Sequence, residues 1–495
     1  MILLGYDLGS SFVKGALVEA DTGKCIATSQ YPSSELSMIS HHPGWAEQEP
    51  EKWWDCIVQV THDLLSQCSE HVKDEIAAIG ISYQMHGLVA VTEDESVVRP
   101  SVIWCDSRAV DIGKRAFDEI GHDKCLNHLL NSPGNFTASK LKWVKENEPD
   151  LFSKIHKIML PGDYIAMKLT GEISTSISGL SEGMLWDFQE NKPAKFLIDH
   201  YGFPESIIPD YKPSFTESGK LSKKAAGELS LREGIPVTYR AGDQPNNALS
   251  LNVLEPGEIA ATAGTSGVIY GVSSEVTYDP ESRVNTFAHV NHEDSNTRLG
   301  ILLCINGTGI LNNWVRNNTG WNSYEEMNAK IEDIPPGSDG LHVMPFGNGA
   351  ERVIGDRNIG CSVHGLNFNR HDKRHIARAS QEGIVFSLIY GLTIMRSLGV
   401  APSAIRAGYA NMFLSPVFRQ TLSDLAGVPI ELYNTSGAEG AAIGAGIGLG
   451  YFSSYKEAFE KLDKRLTVVP RKSEGLLEDS YKAWEAILLE ILKNN

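Results

Sequence analysis

The chain opens with short, unbroken apolar blocks cut by small polar residues, which is the signature of strands and tight turns. Residues 2–7 read as a strand, Gly9-Ser10-Ser11 as a tight turn and Val13 to Glu19 as a second strand. Asp21-Thr22-Gly23 then turns the chain into a third strand, Lys24 to Ser29. The period changes at Pro50 to Gln67, where Trp53, Trp54, Ile57, Val58, Val60, Leu64 and Leu65 recur at helical spacing. Ala77 to Ser82 is a short buried strand that runs into the polar cluster Tyr83-Gln84-Met85-His86-Gly87. Ala138 to Lys145, and Gly162 to Leu169 after Pro161, read as helices.

Near residue 235 the pattern starts again. Pro236 to Ala241 reads as a strand, broken by Gly242-Asp243-Gln244-Pro245, with a helix beginning at Asn246. Glu258 to Ala263 and Val268 to Val272 flank Gly264-Thr265-Ser266-Gly267, a second strand–turn–strand about 255 residues after the first. Helical segments are expected at 376–398, 416–426 and 438–449. Two β-rich openings, each around a small-residue turn, imply two related α/β halves. The boundary is expected near residue 247, giving domains 1–246 and 247–495.

A length of 495 residues calls for more than one core, and 42% apolar with 21% charged residues is ordinary globular composition. The run Ile2 to Asp7 is too short for a signal-peptide core and has no basic flank, so a cytoplasmic protein is expected. Seven scattered cysteines without a C-x-x-C pair argue against a disulfide framework and a structural zinc site. A net charge of −18 opposes nucleic-acid or anionic-membrane partners. Any phosphate ligand must therefore be held by local donors.

Asp7-Leu8-Gly9-Ser10-Ser11 offers such donors. Turn N–H groups and hydroxyls bind anions without net positive charge, and Lys14 adds one cation nearby. Asp7 is a candidate Mg²⁺ ligand, because that ion takes one or two carboxylates together with phosphates and waters. Gly264-Thr265-Ser266 is the second candidate phosphate turn, and the two turns are expected to grip a nucleotide from both sides. Neither is a P-loop, and no G-x-G-x-x-G follows the first strand. Asp243, just past a buried strand, sits where open α/β sheets place ligands and suits a base for a hydroxyl attacking a γ-phosphate; a helix-cap aspartate is the plainer reading. Gln84, Met85 and His86 combine hydroxyl-directed hydrogen bonds with an apolar face, as a sugar would need. In Trp104-Cys105-Asp106-Ser107-Arg108, Asp106 is a further candidate, against the plainer reading of an internal Asp–Arg pair.

Taken together, His42-Pro43-Gly44-Trp45-Ala46-Glu47-Gln48, the 84–87 loop, Arg99-Pro100 leading to Asp106-Ser107-Arg108, and Leu160-Pro161-Gly162-Asp163-Tyr164 give a chain that resembles the xylulokinase branch of the FGGY carbohydrate kinases along nearly its whole length. The resemblance implies two ribonuclease-H-like (actin/hexokinase-type) domains around a closing cleft, ATP and Mg²⁺, and Asp243 as catalytic base. It also implies sugar contacts from Met85 and His86, ATP contacts from Ser11 and Thr265, and weaker matches at Gly309 and Asn313. Gln244 stands where xylulokinases usually carry Asn and glycerol kinases Gln. Gly349-Ala350-Glu351-Arg352-Val353 replaces the family's Gly-Glu-Arg-Thr-Pro, and Ala407-Gly408-Tyr409-Ala410-Asn411 replaces its adenosine-side Gly-Gly-Gly-Ala. Gly408, Ala410 and Asn411 are the expected contacts there.

The activity so implied is phosphorylation of D-xylulose to D-xylulose 5-phosphate, in a protein for which the family suggests a homodimer. Ribulose, glycerol and erythritol are alternative substrates. An actin- or chaperone-like ATPase would share the two turns but would not need the 84–87 loop, and a degenerate sugar sensor would bind sugar without turnover.

Overall fold

The fold is given by a computed structural model that describes residues 1–471 and 475–494. The chain divides into two compact units, and neither is a single stretch of sequence. One comprises Met1–Leu254, Phe287–Leu299 and Thr435–Leu462; the other comprises Glu255–Thr286, Gly300–Asn434 and Asp463–Asn495.

The first unit is built on strands β1 (Ile2–Leu8), β2 (Val13–Glu19), β3 (Lys24–Tyr31), β4 (Ile76–Tyr83), β5 (Gly219–Lys220) and β6 (Pro236–Gly242), in the order β5-β6-β4-β1-β2-β3. β1 pairs antiparallel with β2 and parallel with β4, which in turn pairs parallel with β6. Strands covered on both faces read as continuous apolar runs, and β1 and β4 are buried almost throughout. One face is covered by the helix Pro50–Ser66, which starts at a proline and buries Trp53, Trp54, Ile57, Val60 and Leu64.

The Gly437–Gly448 helix lies against β1, β4 and β6 of the same unit. Its approach is close enough that a Cβ on Gly5 would come within 1.9 Å of the Ala438 carbonyl, and one on Gly80 within 2.0 Å of that of Ala441. The expected helix at 438–449 is therefore present, but it completes the core of the unit that opens the chain.

The second unit repeats the plan with β7 (Ile259–Ala263), β8 (Gly267–Ser273), β9 (Leu299–Ile305), β10 (Ile405–Gly408), β11 (Ile430–Tyr433) and β12 (Lys464–Val468), ordered β9-β8-β7-β10-β11-β12 within a seven-stranded sheet whose further edge strand is Asn285–Ala288. In both units the first strand pairs antiparallel with the second and parallel with a later one, β4 or β10, so the repeat seen in the sequence is a repeat of topology. Among the described residues no helix is long and apolar enough to cross a membrane, and all seven cysteines are free.

One boundary differs from the sequence reading. The helix after β6 begins at Asp243, not Asn246, and spans Asp243–Ser250. Pro245 lies within its first turn, where the missing N–H has no intrahelical partner to lose.

Candidate active site

In the first unit the catalytic candidates converge at the C-terminal ends of parallel strands. Asp7 is the penultimate residue of β1, in register with Ser82 on β4 and Lys14 on β2. Ser82 Oγ donates to Asp7 Oδ1 at 2.8 Å. A Cβ on Gly437 would fall 2.6 Å from Asp7 Oδ2, so this carboxylate rests on the first turn of the Gly437–Gly448 helix, where the helix dipole favours negative charge.

The Gly9-Ser10-Ser11 turn is closed by Gly9 N–H donating to the Phe12 carbonyl at 3.0 Å. The Ser10 carbonyl accepts from Gln48 Nε2 at 2.7 Å and the Ser11 carbonyl from Leu36 N–H at 2.9 Å. With those oxygens occupied, hydroxyls and N–H groups are what the turn offers to an anion. Gln84 is buried behind it, its amide 3.4 Å from Gln48 Oε1, so it braces the turn through Gln48.

Asp243 is the first residue of its helix, directly after β6. Burial raises its carboxyl, and the nearby Asp7 carboxylate raises it further; hydrogen bonds from Gln244 partly offset both, leaving it at about 7. The group is thus poised to give up and take a proton near neutral pH. Met85 is tied to it sterically. A Cβ on Gly242 would meet Met85 Cγ at 2.5 Å, so a side chain at the residue before Asp243 would displace Met85.

His86 adopts left-handed backbone, φ 60°, which is uncommon for a non-glycine residue and persists only when surroundings enforce it. Its N–H donates to Glu182 Oε2 at 3.1 Å, and its ring Nδ1 lies 3.0 Å from the Glu182 carbonyl oxygen. Its carbonyl accepts from Lys140 Nζ at 2.8 Å, and the same ammonium donates to the Ile103 carbonyl at 2.9 Å. Lys140 is fully buried, and that burial pushes its amine down to about 7. Phe136 and Phe287 flank the imidazole, with ring centroids at 4.8 and 5.4 Å.

Asp106 differs from its expected role. Both carboxylate oxygens are taken: Arg108 donates through Nε and Nη2, at 3.0 and 2.7 Å, and the Ala46 and Arg108 N–H groups add bonds of 2.6 and 2.9 Å. Its side chain is fully buried, and Arg108 stacks 3.9 Å from the Trp45 ring. Saturated in this way, Asp106 anchors the 42–48 segment and has no oxygen turned to a ligand. The internal Asp–Arg reading is the one the geometry matches.

In the second unit the Gly264-Thr265 turn joins the helix Gly309–Asn318. Gly309 N–H donates to the Gly264 carbonyl at 3.0 Å and Ile310 N–H to that of Thr265 at 3.1 Å. A Cβ on Gly309 would stand 2.1 Å from the Gly264 oxygen, so only glycine permits this contact. Gly264, Thr265, Gly309, Asn313 and Asn411 all line one cavity of about 800 Å³. Ser266, Gly408 and Ala410 are not on its lining. Gly408 ends β10, where an added Cβ would meet nothing within 4 Å.

Buried Glu351 accepts from the Asn306 and Gly307 N–H groups at 2.9 and 3.1 Å, and burial pushes its carboxyl up to about 7. The sequence reading missed Glu182, Lys140 and Gln381. Lys140 and Gln381 lie inside regular helices, and no local pattern marks them.

Among the described residues there is no cluster of three or more His, Cys, Asp or Glu able to hold a metal. A cation held by one carboxylate and substrate phosphates needs no such cluster, and Asp7 suits that mode.

Family models match both halves of the chain. The N-terminal domain model of the FGGY family of carbohydrate kinases matches residues 2–250, and the C-terminal domain model matches residues 259–450. A xylulose kinase of Bacillus subtilis (strain 168) is 30% identical over 501 aligned positions, covering 99% of this chain and 96% of that protein. A xylulose kinase of Escherichia coli (strain K12) is 26% identical over 447 positions, 89% of this chain and 88% of its own. The crystal structure of a ligand-bound xylulose kinase from Lactobacillus acidophilus superposes with a TM-score of 0.90 at 23% identity, covering 99% of this chain and 98% of that one. At that identity the match establishes the fold.

Proposed function

Because the chain belongs to the FGGY family of carbohydrate kinases, we propose that it transfers the γ-phosphoryl group of ATP to the 5-hydroxyl of D-xylulose. That it is a sugar kinase follows from the family; the choice of sugar rests on full-length relatives that are xylulose kinases. The observation that carries the mechanism is Asp243 at the head of its helix, held near neutral pKa by burial and by Asp7, with Met85 packed on the preceding glycine.

In this reading Asp243 accepts the proton of the sugar hydroxyl as it attacks phosphorus. Met85 presents an apolar surface to the carbon chain, and His86, fixed by Glu182 and Lys140, orients a hydroxyl. The second unit's cavity takes the nucleotide, with the Gly264-Thr265 turn and the start of the Gly309–Asn318 helix at its phosphates. On the first unit, Ser10, Ser11 and Lys14 are the candidate phosphate donors. Mg²⁺ would be held by Asp7 and would neutralise phosphate charge. Such reactions depend mainly on positioning and charge stabilisation. The cytoplasm is the compartment that suits ATP and seven unpaired thiols.

The test is ADP release with D-xylulose, D-ribulose, L-ribulose and glycerol. D-Xylulose is expected to give the highest kcat/KM. Preference for glycerol would reassign the substrate and make Gln244 its determinant.

A further inference from the structure

The wall of the second unit's cavity that carries Asn312, Asn313 and Asn328 has its polarity set from behind. Ser415 caps the helix Pro416–Ala426: its Oγ accepts from Phe418 N–H, so its own hydrogen goes to Gln381 Oε1, 2.6 Å away. With its oxygen committed to Ser415, the fully buried Gln381 turns its nitrogen to Asn312 Oδ1 at 3.2 Å and Asn328 Oδ1 at 3.0 Å. Asn313 is arranged alike, with Oδ1 accepting from Tyr324 OH at 3.1 Å and from Asn317 Nδ2 at 3.4 Å. An amide whose oxygen is engaged within the protein has its NH₂ left for a ligand. Three asparagines on one cavity therefore present donors.

The segment 410–415 supplies few acceptors. The carbonyls of Ala410, Met412 and Ser415 accept from the N–H groups of Phe413, Ser415 and Arg419, and those of Phe413 and Leu414 accept from Arg419 Nη1. The carboxylates of Glu325 and Glu332 also line the cavity, but both residues are exposed, where water competes for them.

Resting on the assignment of this cavity to the nucleotide, we propose that the protein reads the base through its acceptor atoms, so that GTP and ITP serve as phosphoryl donors alongside ATP. Adenine offers N1, N3 and N7 to such a wall; guanine and hypoxanthine offer O6, N3 and N7. Strong discrimination arises when one substrate leaves a buried polar partner unpaired. Among the described residues no buried acceptor on this wall awaits the 6-amino group, so its replacement by oxygen leaves none stranded.

Steady-state kinetics at saturating D-xylulose decide the matter. The kcat/KM values for GTP and ITP are expected within about tenfold of that for ATP, and a wider gap overturns the proposal. Asn328→Asp keeps an oxygen for Gln381 and turns the remaining donor into an acceptor. It is expected to raise the ATP-to-ITP ratio of kcat/KM by about tenfold or more, and an unchanged ratio in the folded variant also overturns the proposal. Calorimetric titration of ADP, GDP and IDP into the full chain without sugar separates the two readings. Comparable affinities with no turnover of D-xylulose on any triphosphate would sink the sugar assignment and leave only the reading of the base through its acceptor atoms standing; binding of ADP alone would sink the inference.

Discussion

At Asp243 and Lys140 the same cause, burial, acts in opposite directions on acid and base. Burial lifts the Asp243 carboxyl to about 7, so kcat/KM for the sugar should rise through neutral pH as the base loses its proton. Asp243→Asn should lower kcat by at least ~10² while sugar binding, followed by calorimetry, stays within a fewfold. The same shift has a stability consequence. A carboxyl raised above its unfolded value of 3.8 binds more protons folded than unfolded between that value and about 7. The stability it contributes is present at low pH and is lost as pH climbs through about 7. Asp243→Asn is therefore expected to raise the thermal midpoint at pH 8, with a smaller gain at pH 5; equal shifts at both would show that the pKa is ordinary.

Lys140 acts through His86, so its effect should be selective. Lys140→Met removes the amine donor from the His86 and Ile103 carbonyls and should relax the left-handed backbone at 86. With the amine held at about 7, the ordinary hydrogen-bond figure of about 0.5–1.5 kcal/mol applies, which predicts a rise of up to roughly tenfold in sugar KM with the ATP KM almost unchanged. A parallel rise in both would mark a general structural defect.

Elements place these residues by close approach of backbone to backbone. Gly5 and Gly80, on adjacent strands, admit the Gly437–Gly448 helix, and that helix brings its first turn to the Asp7 carboxylate. Gly80→Ala would drive a Cβ to 2.0 Å from the Ala441 carbonyl, forcing helix and sheet apart. Overpacking of this kind costs about 1–3 kcal/mol, and a backbone obstacle cannot swing away, so a loss at or above the upper figure is expected in denaturant titration. Unchanged stability would contradict the packing. The Asp243–Ser250 helix shows the opposite economy: a proline in its first turn and an aspartate at its first position are both tolerated because helix starts leave N–H groups unpaired.

For the whole molecule, the first three strands, the two turns, the helix at 50–66 and the second strand–turn–strand were all legible as apolar blocks and glycine-bearing breaks. Such signals are local, and local preference suffices to write them. The motifs carrying the family resemblance were legible for the same reason, and the same local signals nominated residues 7, 9–11, 243 and 264–265 as candidates. What the sequence could not hold was the placement of residues far apart along the chain. The 435–462 segment belongs to the unit that opens the chain, Asp106 spends its carboxylate on Arg108 and the 46 backbone, and Lys140 and Glu182 meet at His86. Each of these depends on distance in space and on which oxygen or N–H already has a partner. The strand pattern and the chemical vocabulary were thus set by the sequence alone; burial, pKa and the donor or acceptor sense of each polar group were decided only by tertiary structure, because they are properties of neighbours.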